Sequence, residues 1–366
     1  MPRYTVIVSR LNQRKFPVED MADESNVVGK VFKDFEFDGE LALTNKLGDW
    51  HKDTTDNFYW GGGLEEMLRV STPLPAIGTE SQSFQWFKDL QIEQIWNQFN
   101  TLGENVTVAV LDTGYDTDNS DLPIPVATQL FVNNPTNNAT IRDEVWHGTF
   151  CTSIIAARNK KINIGLAPLC KILLGKVSLK GELQSVDIIL DGIEWAIQSG
   201  AEIISISLGL PIVKQQQVSQ LQTRLNNIVK DKKVFIFAAC GDSDSGQIIS
   251  KEFYPASLDN CISVGTVKND LIDNITVRSD KTIIHTLGVD IEGYMLNRVI
   301  EKQSGTSMSV PIIAGIMALA ISLTKRRNNN QWNKDELLQK LIQTGVPISG
   351  TIGKKSIDPL KFFQSL

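Results

Sequence analysis

The octapeptide Ser304-Gly-Thr-Ser-Met-Ser-Val-Pro311 runs directly into an almost wholly apolar segment, Ile312 to Leu323. No other feature constrains the fold as tightly. Small residues (Ala314, Gly315, Ala318 and Ala320) are spread through the segment, which predicts a helix packed closely on all sides. Gly305 allows a tight turn where a Cβ would clash. Pro311 is read as lying in the first helical turn, where backbone N–H groups lack partners anyway. The Ser307 hydroxyl would then sit beside free N–H donors and the positive end of the helix dipole, a setting suited to a developing oxyanion. The bland alternative is an ordinary capped helix with an unused serine.

Two upstream motifs argue against that alternative. Val106 to Leu111 is an unbroken apolar run followed by Asp112-Thr113-Gly114, as expected of a strand buried on both faces of a parallel sheet. Asp112 would stand at the strand's carboxyl end, where open α/β sheets place their sites. Trp146-His147-Gly148-Thr149 opens a helix running through Ile154, Ile155 and Ala157. The chain has 3 histidines, and His51 and His285 are read as structural. His147 is not, because it stands between the Asp and Ser motifs.

Asp-Thr-Gly, His-Gly-Thr and Gly-Thr-Ser-Met-x-x-Pro, in that order, resemble the subtilisin-like serine proteases, or subtilases. The resemblance runs from about Phe84 to the C-terminus. It includes Gln85-Trp86-Phe87 with Ile95-Trp96, Asn163-Ile-Gly-Leu-Ala-Pro168, Ser205-Ile-Ser-Leu-Gly209 and Tyr254-Pro255-Ala256. It implies an α/β fold of three layers, a mainly parallel sheet with helices on both faces, and endopeptidase cleavage through an acyl-enzyme. A serine hydroxyl is a poor nucleophile at neutral pH and needs an adjacent base. His147 would take the proton of Ser307 and return it to the leaving amine. Asp112 would hold the imidazole tautomer and stabilise its cation. Two walls of the substrate cleft are implied at Ser207-Leu208-Gly209 and Ala239-Cys240-Gly241, each closing an apolar strand and pairing with the substrate backbone. Gly181-Glu182 resembles a further substrate edge, where Glu182 would favour a basic residue.

The chain departs from the family pattern in three places. Asp242 stands where the family has an oxyanion-hole asparagine, leaving Asp242 and the N–H of Ser307 to line that hole. An ionised carboxylate there would repel the developing charge, so a slow enzyme with an acid-shifted optimum is expected. Phe150-Cys151 follows His147-Gly148-Thr149 where a second histidine is usual. Arg158 to Gly165 is shorter than the family's calcium loop. Asp121 matches a calcium-ligating position, but with the loop shortened no calcium or other metal is expected, and no cofactor. No Cys/His cluster has zinc spacing.

At 366 residues and 42% hydrophobic, the chain can bury a substantial core. The net charge is −6 and Lys325-Arg326-Arg327 is the longest basic run, which argues against nucleic acid as a partner. Val310 to Leu323 is read as too short for a membrane span. No secretion signal is read at the N-terminus. Four cysteines (Cys151, Cys170, Cys240 and Cys261) in that context suggest reduced thiols and a cytoplasmic location. Cys240 would be reactive only in an open cleft.

Residues 1–79 are read as a separate segment and 80–366 as the catalytic domain. Strands are expected at Tyr4 to Ser9 and Val31 to Phe37, and a short helix at Leu64 to Val70. Gly61-Gly62-Gly63 lacks the Lys-Ser/Thr of a phosphate loop and reads as a hinge. Partners are a peptide or protein substrate and, by analogy with subtilase prodomains, an inhibitory contact from residues 1–79. Two rival readings stay open: a peptide-binding pseudo-protease, favoured by Asp242, and acyl transfer to another amine by ligation or macrocyclisation.

Overall fold

A computed structural model describes residues 82–366 apart from 133–139, 160, 182, 184, 213 and 244–250, together with 7 strand segments between residues 3 and 67. The chain divides into two compact units, Met1–Ala76 and Ile77–Leu366.

The first unit is one antiparallel sheet. Its strands lie in the order Val27–Phe32, Arg10–Arg14, Phe58–Trp60, Gly48–Asp53, Glu36–Asn45, Arg3–Val6, Leu64–Met67. Trp50 and Tyr59 are fully buried. The expected helix at Leu64 to Val70 is corrected: Leu64–Met67 is an edge strand, with Leu64 opposite Val6 and Met67 opposite Arg3. A segment this short cannot nucleate a helix alone, whereas the free edge of Arg3–Val6 supplies backbone partners at once. The run read as one strand from Val31 to Phe37 instead ends one strand and begins the next, and residues 33–35 lie outside the described ones. Gly61 to Gly63 and the linker at 71–78 also lie outside them.

Among the described residues, the second unit is built on eight parallel strands. In chain order they include β1 (Thr107–Asp112), β2 (Ala127–Leu130), β3 (Lys171–Lys176), β4 (Ile203–Ile206), β5 (Phe235–Ala239) and β6 (Ile262–Lys268). A short antiparallel β7 (Leu271–Ile272) pairs with β6, and β8 (Ile284–Leu287) runs parallel to β6. The hairpin of β9 (Val346–Pro347) and β10 (Lys355–Ser356) closes the edge, with β10 parallel to β8. The spatial order is β2-β3-β1-β4-β5-β6-β8-β10-β9. The order reverses at β1, so Asp112 ends the strand at the topological switch point, where such sheets form their crevice.

Alternate residues of each strand face opposite layers. Ala109, Leu111, Ile204, Ile206, Ile236 and Ala238 pack on one face, against α4 (Val186–Gln198) and Leu221 and Leu225 of α5 (Gln215–Val229). The strands also pack against α3 (His147–Ala156) and α6 (Thr306–Arg327), which contact each other. Before them come α1 (Gln85–Asp89) and α2 (Ile92–Phe99); α7 (Lys334–Thr344) and α8 (Pro359–Gln364) end the chain. The fold is the three-layer α/β arrangement expected.

Helix α6 corrects two expectations. It begins at Thr306, so Pro311 lies inside the helix rather than in its first turn. It spans 22 residues, long and apolar enough to cross a membrane by length and composition, yet 94% of its most apolar window is buried in the core. Pro311 has no N–H to give the carbonyl of Ser307, four residues back. That freed carbonyl accepts from the Ser207 hydroxyl at 2.8 Å and lies 3.7 Å from the Cys151 thiol. The proline therefore ties the turn that carries Ser307 to β4's end and to α3.

Candidate active site

Asp112, at the end of β1, is completely buried, and one oxygen of its carboxylate is held by the N–H of Thr113 at 2.7 Å. The same oxygen, Oδ1, accepts the Nδ1–H of His147 at 2.7 Å. The His147 side chain remains 16% exposed, with its ring edge in a cleft of about 600 Å³ that Ser307 also lines. Strand β1, helix α3 and helix α6 thus bring together three residues from across the sequence.

The turn carrying His147 is organised by a residue the sequence reading missed. Asp143 is buried, and its carboxylate is an acceptor for five donors. One oxygen takes the Thr113 hydroxyl and the N–H groups of Val145 and Trp146, each at 3.0 Å. The other takes the N–H of Thr149 at 2.9 Å and its hydroxyl at 2.7 Å. These bonds satisfy amides at the start of α3 and hold Trp146 at φ 109°, a conformation costly for a bulky residue. Burial pushes the Asp143 carboxyl up, but these bonds together outweigh it and hold its pKa below the ordinary value. Thr113 in turn accepts from the N–H of Gly148 at 2.9 Å. Gly148 must be glycine, since a Cβ there would come within 2.3 Å of the Gly114 carbonyl. The Asp-Thr-Gly and His-Gly-Thr motifs are therefore two halves of one contact. The available signal for Asp143 was its place four residues before His147, where an Asx residue can cap the coming helix.

Burial alone would lower the pKa of His147, but Asp112, then Asp143 and Asp242, outweigh it and raise the value above 6.5. Cys151 lies beneath the pair; its sulfur, a His147 nitrogen and an Asp112 oxygen fall within 4.8 Å of one another. Burial and the Asp112 charge push this thiol far up, so it stays protonated. With Nδ1–H committed to Asp112 and the thiol uncharged, the trio is a hydrogen-bonded stack, a poor donor set for a cation.

Ser307 is the second residue of α6. Its hydroxyl donates to the Ser207 carbonyl at 2.9 Å, rather than to His147. Gly305 precedes the helix at φ 150°, and a Cβ there would lie 2.8 Å from a carboxylate oxygen of Asp242. This lets Asp242 reach over the helix end, where Oδ1 accepts the N–H of Thr306 at 2.9 Å. Asp242 borders the cleft, with its carboxylate at the N-terminus of α6 beside Ser307.

Of the wall residues, Ser207, Leu208, Gly209, Ala239 and Gly241 line the cleft. Cys240 does not: its thiol turns inward toward the Val277 carbonyl, 3.7 Å away, and burial raises it to about 12. A strand alternates its side chains, so the middle residue of this wall faces the core. Gly181 borders the cleft, while Glu182 lies outside the described residues. Asp121 is occupied by protein groups. Its Oδ2 accepts from the Tyr294 hydroxyl at 2.6 Å, and from Asn159 and the Arg298 guanidinium at 2.9 Å each. A carboxylate neutralised in this way does not fit a calcium ligand.

The chain belongs to the Subtilase family, whose model matches residues 103–356. It is a subtilisin-like serine endopeptidase acting on peptide or protein substrates. It is 30% identical to an intracellular serine protease of Paenibacillus polymyxa over 72% of this chain and 80% of that protein. It is 29% identical to the major intracellular serine protease of Bacillus subtilis (strain 168), over 71% and 82% respectively. Among solved structures, the prenylagaramide maturation protease PagA matches with a TM-score of 0.63 and 23% identity, covering 75% of this chain and 97% of that one. The last likeness concerns the fold alone.

Proposed function

We propose that Asp112, His147 and Ser307 are the catalytic triad of this endopeptidase. The observation that carries the reading is the 2.7 Å bond from His147 Nδ1–H to fully buried Asp112, at a cleft that Ser307 shares. This bond fixes the tautomer with Nε2 free to accept the serine proton. Rotation of Ser307 about χ1 exchanges its bond to the Ser207 carbonyl for one to Nε2. The alkoxide attacks the scissile carbonyl, and protonated His147 then delivers the proton to the leaving amine. The N–H of Ser307 and the helix dipole stabilise the oxyanion, with Asp242 opposing them whenever it is ionised. Ser207 to Gly209 and Ala239 to Gly241 form the walls along which an extended substrate lies.

No metal is needed, because Arg298 already balances Asp121. Chelator should leave activity and melting temperature unchanged. The names of the two relatives above support a cytoplasmic location. Residues 1–79 are assigned an inhibitory role toward the cleft. Deleting them should raise activity, or adding them in trans should lower it.

A fluorophosphonate probe tests the triad: it should label the protein at Ser307 and fail on a folded Ser307→Ala variant. Substantial cleavage by folded Ser307→Ala would sink the assignment. Two observations favour the rival peptide-binding reading: Ser307 turned toward Ser207, and the Asp242 carboxylate at the helix end. No labelling of intact, folded protein would select that rival.

A further inference from the structure

The strands that end in the two cleft walls are joined to one residue that neither motif includes. Phe253 borders the cleft on the two-residue strand Phe253–Tyr254, which pairs antiparallel with Leu210–Pro211 just beyond Gly209. Its ring lies against Gly241 of the opposite wall. A Cβ at Gly241 would come within 2.6 Å of Cγ and Cδ2 of that ring and 2.9 Å of Cδ1. Gly209 faces the same strand: a Cβ there would meet the Tyr254 carbonyl at 3.0 Å and the Phe253 Cβ at 3.9 Å. Both walls thus end in a glycine; the space at Gly241 is taken up by the aromatic ring and that at Gly209 by the Tyr254 carbonyl of the same strand. The Lys251 ammonium lies 5.9 Å from the ring centroid.

We infer that Phe253 floors the slot between the walls and limits the residue before the scissile bond to glycine, alanine or serine. This rests on the serine-protease reading above, in which that residue's side chain enters between the two walls. A ring packed on the Gly241 backbone, and carried by a strand paired with Leu210–Pro211, cannot move aside for a larger side chain without disturbing that pairing. Close-packed protein resists that displacement, so a bulky side chain is refused.

The test is a set of otherwise identical peptides with Ala, Leu or Phe before the cleavage site, assayed on the full chain and on Phe253→Ala and Phe253→Leu. The intact enzyme should cleave the Ala peptide with a kcat/KM about tenfold or more above that of the Phe peptide. Phe253→Ala should raise kcat/KM for the Phe peptide about tenfold and change the Ala peptide far less, with Phe253→Leu between them. Covalent labelling of Ser307, measured on each variant, shows whether the site is assembled. Labelled enzymes with no preference for Ala, or a preference unmoved by Phe253→Ala, would overturn the role of Phe253 alone. Absence of labelling in the intact enzyme would overturn the protease reading, and this inference with it.

Discussion

Two helices start at this cleft, and each has an aspartate from outside the helix at its N-terminus. At α3, Asp143 is buried and gives every oxygen lone pair a donor, so its charge is fully used in building the turn that carries His147. At α6, Asp242 is half-buried and takes the N–H of Thr306, while facing the space where substrate must react. The physics of the two caps is the same: an anion at the positive end of a helix. Their consequences differ because of what comes next in the chain. At α3 the nearby negative charge favours protonated His147, the species the proposed mechanism forms. At α6, in the proposed mechanism, its charge would repel the oxyanion that the neighbouring Ser307 N–H receives. One carboxylate builds the site and the other restrains it.

The comparison breaks most visibly at Asp143. Asp143→Ala leaves five buried donors without an acceptor, which should cost about 3 kcal/mol or more in a denaturant titration. Displacing His147 by even a fraction of its length should lower kcat/KM about 100-fold in the folded fraction. Unchanged stability would show that the α3 cap is dispensable.

Asp242→Asn should have the opposite sign. The asparagine oxygen keeps the Thr306 N–H, and its amide offers the oxyanion a donor. We expect kcat at neutral pH to rise about tenfold. A fall in kcat at every pH would mean that the carboxylate has a constructive role at α6 as well.

The pH profile sharpens the same contrast. The charged groups facing His147 are Asp112, Asp143 and Asp242, and together they raise its pKa above 6.5. His147 must be neutral to act as base, so the acid limb of kcat/KM lies above that value. This works against the acid-shifted optimum that Asp242 alone implied, and the active window is squeezed from both sides. Removing the charge in Asp242→Asn destabilises the imidazolium, lowers the pKa of His147 and moves the acid limb to lower pH. The same change removes the alkaline penalty, so the profile should broaden in both directions. An acid limb that does not move would show that Asp242 is too well screened to act on His147.

The smallest effect is expected at Ser207→Ala. It removes the bond to the Ser307 carbonyl that Pro311 left free, at a cost of about 1 kcal/mol. Differential scanning calorimetry should show a melting temperature lower by roughly 2–4 °C. A much larger drop would mean that the α6 turn depends on this one bond.

Asp112, His147 and Ser307 were legible because each sits in a motif where a strand or helix begins or ends, and chain-local patterns mark such places. The buried strands and α6 were legible for a similar reason, since their apolar runs have few other destinations. The sequence alone also showed Asp242 in an unexpected place. It did not reveal Asp143 as a cap, because its partners Thr113 and Thr149 lie on either side of it in the chain and only the fold closes the ring. It did not show that Cys240 faces inward, since one residue of strand register decides which side chain sees the cleft. Leu64–Met67 became a strand because a free sheet edge offered hydrogen bonds that local propensity does not count. Phe253 acquired meaning only when Gly241 of one wall met its ring and Gly209 of the other met its strand. Patterns along the chain fix what each segment can bury. Which side chains then meet depends on backbone approaching backbone at distances that no local sequence encodes.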